Sequence, residues 1–429
     1  MKIRSIAAAV AIPAVIACIV ISACTKDTGY RTVKVYTPVY KSITDVTASV
    51  KTSEPEGVTA SGKMLLLGKY IFLNEVNKGI HIIDNSNPAA PVNKAFINIP
   101  GNLDIATKGN TLYADCYTYL LVLDISDLQN VSCKTYLHNV FPDRASVLGT
   151  TIPDGQVIVD WKTREATENV SVMPGQGIWK NHEYYYNGPW YDLYAGAPQS
   201  NAYNLASSGK SNTGIAGSSA RMAIINNHLY TAASNVLSAI NIATPSAPKM
   251  ESQNATGISA QSIFPFNNKL FIGGSNGVSV FSTDNASAPL LEGGFGHFCS
   301  GDPVIADENT AYVTLHTGNW CNGAIDELDV LDVSDLHNLK TIRNYPLTSP
   351  KGLSKDGNLL FVCDGPALKV FNAANPADIK LLQTINLADT YDVICHNKIA
   401  YVSAKGGLYQ FDYSDTRNIK QLGKISLPQ

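Results

Sequence analysis

About every forty residues this chain repeats one short pattern, an apolar alternation ending in Asp or Asn, then a polar turn, then often a proline. It reads HIIDNSNPAAPV at 81–92, LVLDISDLQNV at 121–131, VSVFSTDNASAP at 278–289, LDVLDVSDLHNL at 328–339, LKVFNAANPADI at 368–379 and LYQFDYSDTRNI at 408–419. LSAINIATPSAP at 237–248 is a weaker copy. The marker residues Asp84, Asp124, Asn241, Ser282, Asp332, Asn372 and Asp412 are spaced 40, 117, 41, 50, 40 and 40 residues apart. Strand-type segments alone at such a period specify propeller blades, each burying its faces only against its neighbours.

Turn residues divide one unit into four strands: Leu103 to Thr107, Leu112 to Cys116, Leu120 to Ile125 and Val131 to Leu137. The second strand gives the count, because YIFLN (70–74), TLYAD (111–115), QVIVD (156–160), HLYTA (228–232), KLFIG (269–273), TAYVT (310–314), LLFVC (359–363) and IAYVS (399–403) all fit it. The fold expected is therefore all-β, a β-propeller of eight four-stranded blades, with seven the alternative if unit three is only an excursion. Unit three lacks a recognisable third strand and the Asp-x-Ser-Asp turn.

Asp-Ile-Ser-Asp at 124–127 and Asp-Val-Ser-Asp at 332–335, each after an apolar run, resemble the LVIVD repeat family of bacterial and archaeal cell-surface proteins. The resemblance covers most of 62–429 and implies a β-propeller. The lipobox described below, with GIHIIDNSNPAAPVNKAFINIPGNLDIA and the SARMAI segment, is similar to one group of envelope lipoproteins within that family. No general activity attaches to the family, so the resemblance implies location and architecture more than chemistry.

The first residues read as an export signal: Lys2 and Arg4 are the basic part, Ile6 to Val20 the apolar part, and Ile21-Ser22-Ala23-Cys24 a lipobox whose Cys24 thiol accepts a diacylglycerol. No later apolar run is long enough to span a bilayer. Thr25 after the cysteine, where Asp retains a lipoprotein at the inner membrane, points to the outer membrane, facing the periplasm or the cell surface. The expected organisation is a signal peptide at 1–23, a lipidated N-terminus and tether at 24–61, and a propeller at 62–429 with an insertion at 171–218. A formal net charge of -3, spread without blocks, lacks the basic footprint that nucleic acid requires.

Between the second strands of units three and four the spacing is 72 residues, from Asp160 to Ala232. The surplus carries Trp179, Tyr184, Tyr185, Tyr186, Trp190, Tyr191 and Tyr194, then a Gly/Ser/Asn-rich stretch. Rings amid Asn and Gly suit sugar stacking or protein contact, since flat rings offer contact area at low entropic cost. They equally suit packing of the loop against the propeller. A second insertion, HTGNWCNGAIDE at 316–327, holds Trp320 and Cys321. Cys299 precedes the same unit on the same face, so a Cys299–Cys321 disulfide is expected in an exported protein.

The start of the inner strand carries a polar residue in most units: Asp104, Arg144, Arg221, Gln261, Asp302, Lys351 and Asp392. Such residues ring a channel mouth, where they hold a polar ligand or pair with one another. Catalytic motifs fail. GGSNG at 273–277 sits in a hairpin, whereas a nucleophile elbow needs strand, turn and helix. The eight His residues show no metal-binding spacing and no Cys-x-x-Cys occurs, so no metal or cofactor is expected. The reading is a membrane-anchored envelope module that binds or scaffolds a partner protein or glycan through Trp179, Tyr185, Trp190 and Trp320, with the polar ring beneath. The alternative is a carbohydrate-active or other hydrolytic envelope enzyme with its site at the channel mouth.

Overall fold

The apolar alternations become strands, and the marker residues end them. The computed structural model describes residues 30–169, 176–187, 215–218, 220–274, 276–296, 303–316 and 326–426. Its contacts divide into two parts, Met1–Val39 with Asp160–Leu193, and Tyr40–Val159 with Tyr194–Gln429. Among the described residues no helix is long and apolar enough to cross a membrane.

In the larger part each regular unit is an antiparallel meander. Unit one runs Ser61–Leu67, Tyr70–Glu75, Gly79–Asp84 and Val92–Asn98, and unit eight runs Thr390–His396, Ile399–Ala404, Gly407–Asp412 and Lys420–Ser426. Units four and five share the continuous strand Lys249–Phe266, which changes partner midway, and His228–Asn241 runs on through unit four. Lys249 to Ala255 faces Asn241 to Val236, while Ser262 to Phe266 faces Gly273 to Lys269.

All seven markers do one job. The side-chain oxygen at the end of the third strand accepts from the backbone N–H two residues on: Asp84 from Ser86 at 2.9 Å, Asp124 from Ser126 at 2.9 Å, Asn241 from Ala243 at 2.9 Å and Ser282 from Asp284 at 3.2 Å. Asp332 accepts from Ser334 at 2.9 Å, Asn372 from Ala374 at 3.0 Å and Asp412 from Ser414 at 2.8 Å. Short polar side chains favour such turns because they bond their own backbone locally. The turn so fixed docks on the unit before it. Tyr113 of unit two donates to the Pro245 carbonyl at 2.9 Å, and Tyr230 of unit four to the Ala286 carbonyl at 2.9 Å.

The buried faces pair units in sequence. Units one and two share a core through Phe72, Ile82, Leu112 and Leu121. Units two and four share one through Tyr113, Val122, Met222 and Leu229, and units four and five one through Tyr230, Leu237, Ile263 and Leu270. A further core joins units five, six and seven, and another units seven and eight. The series returns to its start, because Ile394, Tyr401 and Leu408 of unit eight pack with Met64, Leu66, Ile71 and Ile83 of unit one. At that junction Gln410 donates to Asn85 Oδ1 at 2.7 Å.

Unit three departs from the eight-unit expectation. Among the described residues no separate four-stranded sheet lies between units two and four, whose cores meet directly. QVIVD instead begins the long strand Gln156–Asn169, which pairs with Tyr30–Ser42. Val157 packs into the core of units one and two, so its apolar alternation is used, but not in a blade of its own.

The smaller part is one four-stranded sheet, ordered Gln156–Asn169, Tyr30–Ser42, Glu183–Asn187, Gln176–Lys180. Two boundaries change. Tyr30–Ser42 and the helix Ile43–Ser49 are structured where a tether was expected, and the first half of the insertion, expected as a loop, contributes two strands. Ser42 caps that helix by accepting from Asp45 N at 3.0 Å.

Candidate functional site

The first strands of successive units touch along the inner edge of the larger part. Register fixes which residue opens each of them. The fourth residue of every regular second strand opposes Met64, Ile105, Met222, Ile263, Val304, Leu353 or Val393. The preceding positions are Lys63, Asp104, Arg221, Ser262, Pro303, Gly352 and Asp392. Gln261 and Lys351 therefore lie one residue short, because the pairing slips between Ala260 and Ser262 and between Pro350 and Leu353. Lys63, which the sequence reading missed, holds the equivalent place in unit one. Its signal was the Gly-Lys-Met start of an inner strand, one residue before the apolar run.

Lys63 and Asp104 are both buried and lie 3.2 Å apart, Nζ to Oδ2. Burial pushes the Lys63 ammonium down despite Asp104, and pushes the Asp104 carboxyl up despite Lys63. Asp104 also accepts from Ile105 N at 2.8 Å and from the Arg221 backbone N–H. Asp115 Oδ1 accepts from Asn102 Nδ2, Leu103 N and Asp104 N at 2.8, 2.7 and 2.9 Å, and its Oδ2 meets Arg144 Nη1. Arg144 sits in the turn Pro142–Arg144, also donates to the Gly101 carbonyl, and lies over the Tyr117 ring at 5.4 Å. Arg221 faces Asp143 at 3.7 Å and the Phe141 ring at 5.9 Å. Lys351 pairs with Asp389 at 2.6 Å and lies over Tyr391 at 4.8 Å. Asp392 is fully buried and accepts from the Ser218 hydroxyl at 3.2 Å.

Among these residues Asp104 meets the Arg221 backbone N–H, while Arg144, Arg221, Lys351 and Asp392 take Asp115, Asp143, Asp389 and Ser218 as partners. Their charges are taken up by main-chain donors and opposite charges from neighbouring units.

Two His–carboxylate pairs lie where second and third strands meet. His81 Nε2 is 3.2 Å from Glu75 Oε2, and both are buried. Burial opposes ionisation of Glu75, but hydrogen bonds from His81, Thr59 and Ala60 outweigh it and hold the carboxyl down at about 2. His316 Nδ1 lies 2.6 Å from Asp326 Oδ1, and both are partly exposed.

In the smaller part the insertion's rings divide between two faces. Trp179 opposes Tyr184, Tyr184 opposes Tyr36, and Tyr186 opposes Lys34, so these share one face. Ring centroids run Trp161 to Trp179 at 6.3 Å, Trp179 to Tyr184 at 5.4 Å and Tyr184 to Tyr186 at 6.4 Å. Gly177 makes room for this row, since a Cβ there would stand 2.1 Å from Tyr184 Cζ. Tyr185 points the other way and is 5% exposed, packed with Val33 and Val35. Strand alternation thus makes it core, not a contact ring. Trp190, Trp320, Asp302, Cys24, Cys299 and Cys321 lie outside the described residues. Cys116, Cys133, Cys363 and Cys395 are free thiols.

Residues 61–98 and 102–135 match the LVIVD repeat, stretches that coincide with units one and two. The chain carries LVIVD repeats. Among solved structures, the computationally designed Ika8 protein is 10% identical over 87% of this chain and 91% of its own, with a TM-score of 0.50. The periplasmic gluconolactonase PpgL of Pseudomonas aeruginosa is 11% identical over 86% of this chain and 97% of its own, with a TM-score of 0.51. At such identities the likeness is one of fold: the LVIVD-repeat chain is propeller-like and all-β. No curated protein matches it.

Proposed function

We propose that the protein is a lipid-anchored binding or scaffolding module of the bacterial envelope, built on a seven-bladed propeller. Seven is supported by the cycle of shared cores, which passes from unit two to unit four and returns from unit eight to unit one. The anchor is Cys24, after a signal peptide at 1–23, with the outer membrane as its site and the tether shortened to the residues before Tyr30.

The observation that carries a binding over a catalytic role is the saturation of the inner carboxylates. Asp104 and Asp115 are bonded by backbone, amide and cationic donors, so neither of these two described carboxylates faces a substrate without a partner of its own. The contact surface is the row Trp161, Trp179 and Tyr184, half-buried rings held on a sheet and backed by the buried Tyr186. The test is capture of envelope proteins and glycans by the soluble chain, compared with a Trp161→Ala, Trp179→Ala, Tyr184→Ala variant of matched unfolding temperature. Loss of capture by the variant is expected; undiminished capture overturns the assignment of this face.

A hydrolytic reading has one observation in its favour, the His316–Asp326 pair, whose 2.6 Å contact and partial exposure suit acid–base work. Hydrolysis of glycan substrates by the soluble chain that vanishes in His316→Ala would favour it.

A further inference from the structure

The four-stranded meanders of units one and eight each come from a continuous stretch of chain, and among the described residues they exchange no strand. Their junction joins points more than three hundred residues apart with side chains alone, although closing so long a loop has an entropic cost. A short segment lies against this junction from the inner side. Ile215 and Ala216 pair with Leu66 and Leu65, adding a strand to the free inner edge of unit one. Ser218 then reaches both last units: its hydroxyl donates to Asp392 Oδ1 of unit eight at 3.2 Å and accepts from Leu353 N of unit seven at 2.8 Å. Ala220 accepts from Ile263 N of unit five at 2.8 Å, and Arg221 N donates to Asp104 of unit two. Within seven positions the chain bonds the inner strands of five units, and Met222 then opens a sixth.

We propose that the segment 215–221 is an axial clasp, a closure device that holds the first unit to the last two in place of a shared strand. Burial fits a permanent element. Ser218 is 0% exposed, Ala220 4% and Arg221 9%. Gly352 is fitted to it, since a Cβ there would lie 2.3 Å from Asp392 Oδ1 and 2.9 Å from Ser218 Oγ. The inner carboxylates Asp104 and Asp392, which a ligand at the channel mouth would need, are engaged by the chain's own donors. A consequence is that removing 171–218 deletes the clasp with the aromatic strands, so such a truncation confounds binding with closure.

The test compares the wild-type soluble chain with Ser218→Ala and with a variant in which Ile215, Ala216 and Ser218 are all Gly, by thermal unfolding and residue-resolved hydrogen exchange. Ser218→Ala should lower the unfolding temperature by several degrees and speed exchange at Leu353 and in the strands of units one and eight, leaving unit six at its wild-type rate. If the triple variant does not fold, the single variant still decides. Wild-type amides at 216–221 that exchange as fast as an unstructured peptide, or a Ser218→Ala chain with unchanged exchange in units one and eight, would overturn the clasp.

Discussion

At the scale of single residues, the repeat is explained by the bond its marker makes. Asp and Asn alternate at that position because either oxygen accepts the N–H two residues on, as Asn241 and Asn372 do at 2.9 and 3.0 Å. Asp124→Asn should therefore keep the fold at neutral pH, while Asp124→Ala should lose about 1 kcal/mol in a urea titration. The same bonds set an acid limit. Hydrogen bonds from Ser126 hold Asp124 down at about 2, and its counterparts Asp84, Asp332 and Asp412 are likewise lowered by Ser86, Ser334 and Ser414. Groups depressed on folding stabilise above their unfolded pKa and lose that contribution as pH falls through the folded one. Glu75 and Asp124 thus place the loss between about 4.5 and about 2, with stability flat above it as far as they are concerned. Circular dichroism along an acid titration reads this, and Asp124→Asn should make the fall shallower. Gly352→Ala should cost about 1–3 kcal/mol by overpacking against Asp392 and Ser218, read in the same titration.

At the scale of elements, much was legible and the limits have physical causes. The second strands were found because a short apolar segment recurs in each and is buried, as Leu112, Tyr113 and Ala114 are, and the turns because their chemistry is local. Gln261 and Lys351 were misplaced by one residue because a slip in strand pairing leaves no mark in composition. The clasp could not be read at all: Ile215, Ala216 and Ser218 have no periodicity, and their bonds span 135 residues to Leu353 and 174 to Asp392. Tyr185 looked like its neighbours Tyr184 and Tyr186, and alternation on a strand whose existence was not foreseen sends it to the other face. Between elements, the turn latches predict a graded series. Tyr113→Phe and Tyr230→Phe each remove a bond to the following turn and should cost about 1 kcal/mol. Gln410→Ala, which strips Asn85 of a buried donor at the junction of first and last units, should cost about 1–3 kcal/mol in the same denaturant titration.

At the scale of the whole molecule, the larger part shares cores from unit to unit and returns from unit eight to unit one, and the smaller part carries an aromatic row on its sheet, which the proposal reads as a support and a contact surface. The proposed lipid anchor at Cys24 would tie this support to a membrane. Cys24→Ala should abolish labelling by a fatty-acid probe in cells, and undiminished labelling would count against the anchor. The account depends most on closure. An open array frays from its ends, because terminal units have one neighbour, whereas a closed one opens only as a whole. Native-state hydrogen exchange of the wild-type soluble chain distinguishes the two. Second-strand amides at Ile71–Leu73 and Ala400–Val402 should exchange with the same opening free energy as those at Ala311–Val313, while opening of either end unit at markedly lower free energy than unit six would contradict a closed ring.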